Sequence, residues 1–303
     1  MISVVIPTFN RAARVMDAVR SVREQTFGDW ELIVVDDGST DGTRDLVDSI
    51  DDSRVRCLRI PHGGVSRARN VGIRASQFPW ISFLDSDDLW ASTKLARQLE
   101  SLEREPSARV VYTNEVWIRN GRHHNPKRKH RKFGGWVFRP SLVLCLISPS
   151  SVMMHRSVLE RIGLFDESFR VCEDYELWIR LSARFPVVYV DRPLITKFGG
   201  HADQLSRSDW GFDRYRVRAL MKCLGAGQLT AQQRIWVAAE VVRKSRILAA
   251  GFQNRKKPEM SERYRRLSVQ WQGSSSWANW MSGMRTDFRV RASYRSDCSK
   301  RNA

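Results

Sequence analysis

The 303-residue sequence has no apolar run that could cross a membrane. The longest, Leu142-Val143-Leu144-Cys145-Leu146-Ile147, falls far short of the roughly 20 residues a spanning helix needs. Also missing are a Gly-x-Gly-x-x-Gly turn and a Gly-Lys-Ser/Thr phosphate loop, which argues against a dinucleotide-binding dehydrogenase and a P-loop kinase. The cysteines number five, scattered and without paired spacing, so reduced thiols of a cytosolic protein are expected rather than a disulfide or zinc framework. The opening run Met1-Ile2-Ser3-Val4-Val5-Ile6 lacks a basic flank and stops at Pro7, too short for a signal-peptide core. Low-complexity stretches are absent, and 42% of residues are hydrophobic, as in a globular chain. Acid is scarce beside base: 33 Asp and Glu against 51 Lys and Arg, a formal net charge of +18. That surplus attracts polyanions, whether nucleic acid, an anionic membrane face or phosphorylated substrates.

What is present is a rhythm of strands and helices. Ser3 to Ile6 reads as a strand, and Val15, Ala18, Val19 and Val22 as one helix stripe at i, i+3, i+4 and i+7. Leu32-Ile33-Val34-Val35 is a continuous β-branched run of the kind buried on both faces in a parallel sheet. Helices are expected around Leu46, Val47 and Ile50 and over 65–75, with strands over 55–60 and 80–84. Such alternation predicts a mostly parallel sheet whose ligands bind outside the carboxyl ends of the strands. Acids stand there: Asp36-Asp37 after the second strand, and Asp85-Ser86-Asp87-Asp88 after the fourth. Three carboxylates within four residues call for a compensating cation, and Mg²⁺ or Mn²⁺ suits an all-oxygen donor set. Turn and helix-cap chemistry explains aspartates at a strand end equally well, with Asp88 or Ser92 capping a helix begun at Lys94.

Val5-Ile6-Pro7-Thr8-Phe9-Asn10-Arg11, Val35-Asp36-Asp37-Gly38-Ser39-Thr40-Asp41, Gly64-Val65-Ser66-Arg67-Ala68-Arg69-Asn70 and Asp85-Ser86-Asp87-Asp88 together resemble the family 2 glycosyltransferases of the GT-A fold. The resemblance continues in Gly163-Leu164-Phe165-Asp166-Glu167 and Glu173-Asp174-Tyr175-Glu176-Leu177-Trp178, covering about residues 1–205. It implies an α/β, Rossmann-like, mostly parallel sheet flanked by helices. The implied activity is transfer of a sugar, with inversion, from a nucleotide-diphosphate donor, expected to be a UDP-sugar, to an acceptor hydroxyl. By that resemblance Pro7, Thr8 and Phe9 line the nucleotide pocket with Arg11 near the phosphates, and Asp37 accepts the uracil N3 proton. Arg67, Arg69 and Asn70 lie at the start of the third helix and favour anions, although one of the arginines could equally be a solvated helix residue. Asp85 reaches ribose or metal, Asp87 binds the divalent metal, and Asp174 is the general base, placed on a helix whose stripe of Leu177, Trp178 and Leu181 anchors it. His201, after Gly199-Gly200, is a metal ligand or an ordinary loop histidine, because 197–203 departs from the family's pattern.

The resulting layout is a transferase domain over 1–205 (a nucleotide-sugar half 1–115 and an acceptor half 116–205), a helical extension 206–272 and a basic tail 273–303. Residues 119–132 form a basic loop, and capping boxes are expected at Ser157 to Glu160 and at Thr230 to Gln233. The tail's Trp277, Trp280 and Met281 with its arginines could rest on an anionic membrane or be poorly packed. Expected partners are therefore a nucleotide sugar, a glycan or lipid-linked acceptor in cell-surface glycan synthesis, and peripheral contact with the inner face of a membrane, without specific nucleic acid. A nucleotidyltransferase making nucleotide sugars and a non-catalytic polyanion-binding protein are the alternatives.

Overall fold

The computed structural model describes residues 1–124, 130–200 and 210–272. His201, residues 125–129 of the basic block and the tail 273–303 lie outside them. Nine strands form one sheet in the order β3-β2-β1-β4-β8-β6-β9-β5, with β7 paired to β6. The strands are β1 (Ile2–Thr8), β2 (Trp30–Asp36), β3 (Val55–Arg59), β4 (Trp80–Phe83), β5 (Asp88–Trp90), β6 (Val110–Arg119), β7 (Arg122–His123), β8 (Val152–His155) and β9 (Val188–Gly199). The helices are α1 (Ala12–Arg23), α2 (Thr43–Asp48), α3 (Val65–Ala75), α4 (Lys94–Arg104), α5 (Phe138–Val143), α6 (Arg156–Ile162), α7 (Glu173–Ser182), α8 (Asp213–Gly225), α9 (Ala231–Asn254) and α10 (Pro258–Gln272). Tracing the pairings across the sheet, β1, β2, β3, β4, β6 and β9 run one way, and β5, β7 and β8 the other.

The period-2 alternation of side chains explains the layering. Val5, Ile33, Val35 and Phe83 face a core that also takes Ala68 and Ile73 of α3. Val4, Ile6, Leu32 and Val34 face the opposite core, which takes Val15, Ala18, Val19 and Val22 of α1. The sheet is thus covered on both sides, as continuous β-branched strands require. Helix α3 approaches β1 so closely that a Cβ on Gly72 would lie 2.3 Å from Val5 Cγ1. By contacts, the chain divides into one compact unit, Met1–Gln233, and a second beginning at Arg234. Among the described residues no helix is long and apolar enough to cross a membrane.

One capping expectation is revised and the other is met. Helix α6 is capped two residues earlier than Ser157: the N-cap is His155, whose Nδ1 accepts the Ser157 N–H at 3.3 Å. The Thr230 box does form, with Thr230 Oγ1 accepting from Gln233 N and Gln233 Oε1 from Thr230 N. Strand β6 runs on past Thr113, through register shifts either side of Asn114, and pairs along β9 as far as Gly199.

One cation of the basic block is withdrawn from solvent. Lys132 is only 7% exposed and pairs with Glu115 of β6 at 2.7 Å, and Glu115 further accepts from Trp117 Nε1 and Ser148 Oγ. Burial opposes the Glu115 charge, but Lys132, Lys197 and these hydrogen bonds hold its carboxyl at about 2. Burial pulls the Lys132 ammonium below its ordinary value, against the pull of Glu115. Because Glu115 lies below its ordinary 4.5, its ionised form stabilises the fold above that pH and the contribution is lost as pH falls from 4.5 toward 2. The stability advantage of wild type over Glu115→Gln, measured by urea unfolding, is therefore expected to shrink by about 3 kcal/mol between pH 5 and pH 2. An advantage independent of pH would contradict the assignment.

Candidate active site

At the carboxyl ends of β1, β2 and β4 lies a cavity of about 670 Å³, lined on one side by Pro7, Thr8, Phe9, Arg11 and Asp37 and on the other by Glu173, Asp174 and Tyr175. Each wall is fixed by local chemistry. After β1, Asn10 takes a left-handed φ of 50°, its N–H donating to Ser39 Oγ and its Oδ1 accepting from Thr40 N, both at 2.8 Å. Asp36 is fully buried and caps its own turn by accepting from Ser39 N.

Asp37 accepts from both Gly63 N and Gly64 N at 2.8 Å, with His62 Nδ1 at 2.9 Å. The His62 ring stacks on Phe9 at 4.1 Å between centroids, making a ledge on which Phe9 remains 41% exposed. Arg11 reaches across to Asp87, 2.7 Å from Oδ2.

Arg69 is the centre of the floor. Only 3% exposed, it donates NH2 to Asp85 Oδ1 and NH1 to Glu173 Oε1, both at 2.7 Å. Although burial alone would disfavour its charge, the two carboxylates push the guanidinium above its ordinary value. Burial and then Asp174 push Glu173 up to about 7, Arg69 opposing them. Asn70 is consumed in packing: it donates to Phe165 O and Glu167 Oε1 and accepts from Phe165 N. Neither Asn70 nor Arg67 lines the cavity; the Arg67 stem folds over Gly63, where a Cβ would meet its Cδ at 2.5 Å.

Asp88 is not a helix cap. It opens β5, accepts from Ser150 Oγ at 2.6 Å, and α4 begins after Thr93 without a side-chain cap. Burial, and repulsion from Asp85 and Asp87, push its carboxyl well above the usual range against the pull of Lys197.

Asp174 stands in the first turn of α7, preceded by Cys172 in the left-handed conformation. Its Oδ1 accepts from Tyr175 N at 2.7 Å and its Oδ2 from the Cys145 thiol at 3.2 Å. Burial, then Asp174, pushes that thiol well above its usual value, so it stays protonated and able to donate; Ile147 O is its second acceptor at 3.3 Å.

Cavity residues not anticipated from sequence include His62, Cys145, Cys172, Lys197, Phe212 and Arg216. Lys197 is carried in opposite Asp88 by the β5–β9 register. Despite burial it is held charged by Glu115, Asp88, Asp85 and Asp174. Phe212 and Arg216 lie beyond residue 205.

The donor set at the β4 end suits a hard divalent cation: Asp85 and Asp87 offer only oxygen, and such ions are commonly held by one or two carboxylates plus substrate phosphates. Among the described residues no three His, Cys, Asp or Glu side chains gather as a ready metal site.

Removing the Arg69 charge strands two carboxylates in the interior, which typically costs 3–5 kcal/mol. Arg69→Met should thus lose about that much stability to urea, with part regained on adding Glu173→Gln. An Arg69→Met variant as stable as wild type would show the clamp to be dispensable.

The family model described as Glycosyl transferase family 2 matches residues 3–163. An Escherichia coli relative named UDP-Glc:alpha-D-GlcNAc-diphosphoundecaprenol beta-1,3-glucosyltransferase WfaP is 30% identical over 190 residues, covering 61% of this chain and 71% of the relative. An uncharacterized glycosyltransferase of Rickettsia conorii is 32% identical over 201 residues, 64% of this chain. The match spans about a third of the length of that protein and of its Rickettsia felis counterpart. Among solved structures, Staphylococcus aureus TarS 1-349 in complex with UDP-GlcNAc superposes with a TM-score of 0.65 at 15% identity, covering 92% of each chain. The mannosyltransferase PcManGT of Pyrobaculum calidifontis, in complex with GDP-Man and Mn²⁺, gives 0.56 at 17% identity, covering 90% of this chain and 87% of that one. With its family blocks gathered around one cavity, the chain belongs to glycosyl transferase family 2 and has the GT-A fold.

Proposed function

We propose that the protein transfers a sugar, with inversion, from a UDP-sugar to a hydroxyl of a lipid-linked glycan acceptor at the cytosolic face of a cell membrane. The observation that carries this reading is one cavity lined by Asp85, Asp87 and Asp174, with Arg69 clamped between Asp85 and Glu173, the neighbour of Asp174. The relatives support the acceptor, since WfaP and its Escherichia coli counterpart WfgD are named for a diphosphoundecaprenol-linked substrate. TarS in complex with UDP-GlcNAc supports the donor, and PcManGT with Mn²⁺ supports a divalent metal.

In this mechanism the base lies against the Phe9 and His62 ledge. Asp37, held rigid by the Gly63 and Gly64 N–H groups, keeps a lone pair for the uracil N3–H. Asp87 and Asp85 would hold the cation. Bound there, it would act as a Lewis acid on the departing diphosphate. Arg11, at the same end, adds positive charge for the phosphates. Asp174 takes the proton of the acceptor hydroxyl as its oxygen bonds to the anomeric carbon and the bond to phosphate breaks, the electron pair leaving on UDP. The Cys145 thiol and Tyr175 N–H hold that carboxylate in place, each occupying one lone pair of one oxygen.

General base catalysis usually contributes 10²–10⁴-fold. Asp174→Asn is expected to lower kcat by about 10² or more with UDP affinity kept, and EDTA to abolish wild-type turnover, both read by UDP release. If UDP affinity collapsed while turnover held, Asp174 would belong to the donor side, and turnover surviving EDTA would remove the metal.

A further inference from the structure

The base end of the cavity holds a cation that this chemistry leaves unassigned. Arg216, on α8, lines the wall with Phe212, Cys172, Asp174 and Tyr175. One arm is engaged, NH1 donating to Asp213 Oδ1 at 3.0 Å. Its Nε is buried with no hydrogen-bond partner among the described residues. The guanidinium carbon lies 5.9 Å from the Tyr175 ring centroid.

The Tyr175 beside it follows Asp174 in the first turn of α7, and Cys172, the N-cap of that helix, places its Sγ 4.0 Å from Phe212 O at the start of α8, so Arg216 stands beside the turn that carries Asp174. Lys197 differs: four carboxylates surround its charge, whereas Arg216 has Asp213 alone within salt-bridge distance among the described residues. A buried N–H without an acceptor carries a desolvation penalty that a bound acceptor group relieves. The planar guanidinium, with several N–H groups in a fixed fork, matches phosphate oxygens better than any neutral sugar hydroxyl.

We propose that Arg216 binds a phosphate of the acceptor, so that the enzyme takes acceptors whose reacting sugar is joined to a phosphate or diphosphate. This rests on the donor and base assignments above and adds the chemical feature by which the acceptor is chosen. No bond is made or broken at Arg216; it holds the acceptor while Asp174 takes the proton.

The test uses the full chain as wild type, Arg216→Gln, Arg216→Lys and Asp213→Asn. Calorimetric titration with inorganic diphosphate, with Mg²⁺ in cell and syringe and UDP saturating the donor end, is expected to give a Kd at least 10-fold weaker for Arg216→Gln. Arg216→Lys should be intermediate, and Asp213→Asn no weaker than wild type because it releases the guanidinium. UDP affinity should stay within twofold throughout. In transfer assays, Arg216→Gln should raise KM at least 10-fold for a sugar carried on an alkyl diphosphate and leave KM for the matching alkyl glycoside unchanged.

Equal diphosphate affinity in wild type and Arg216→Gln overturns the proposal, as does equal use of both acceptors by wild type. Weaker diphosphate binding with an unchanged KM for the alkyl diphosphate acceptor would make the site one for free phosphate, and also overturns it. Failure of UDP to bind would sink the donor reading instead, and the titration repeated without UDP still reads Arg216.

Discussion

Arg69 is the constraint on which the site depends. It comes from α3, 16 residues before Asp85 and 104 before Glu173, and joins the end of β4 to the start of α7. Without a cation between them, the carboxylates of Asp85, Asp87, Asp88, Glu173 and Asp174 would converge on one cavity and repel. With Arg69 in place, Asp85 is turned so that one oxygen is engaged and the other is left for a ligand. Asp174 follows Glu173 in the first turn of α7. The placing of that turn relative to the end of β4 is thus set by one guanidinium, buried at nearly full depth, and by the packing of α3 on the sheet through Gly72.

What could be read from the sequence was what is local. Continuous β-branched runs such as Leu32-Ile33-Val34-Val35 are buried on both faces, and the acids that follow them stand at the mouth of the cavity because strands of a parallel sheet end together. The start of α7 was legible for the same reason, its stripe of Leu177, Trp178 and Leu181 fixing which way the first turn faces. What escaped was set by pairing over distance. In strand β6 Asn114 and Glu115 interrupt the apolar pattern, and Glu115 is accommodated because Lys132 and Ser148 arrive from elsewhere and Trp117 of the same strand donates to it. Lys197 reaches the cavity through the register of β9 against β5, and Arg216 through the placing of α8, and neither leaves a local signature. Arg69 itself reads as an anion binder from its place on a helix start. That is chemically correct, but its anions are two of the protein's own carboxylates.

The sign of the charge inside the cavity separates the functional alternatives. The chain carries +18, yet six carboxylates line the cavity, from Asp37, Asp85, Asp87, Asp88, Glu173 and Asp174, against the cations of Arg11, Arg69, Lys197 and Arg216. A groove for a polyanion would concentrate its cations where the ligand lies; here Arg69 and Arg11 are paired with carboxylates and Lys197 is ringed by them. The surplus positive charge therefore belongs to other surfaces, and the polyanion-binding alternative draws no support from the cavity. A nucleoside diphosphate would bring further negative charge beside the carboxylates of Asp85 and Asp87. Its entry would require positive charge to come with it or to be released from an internal pair, and the Arg11–Asp87 contact at 2.7 Å is such a pair. On the proposed function Asp87 would hold the cation and Arg11 would meet the phosphates, so that one exchange of partners at the end of β4 would answer both demands.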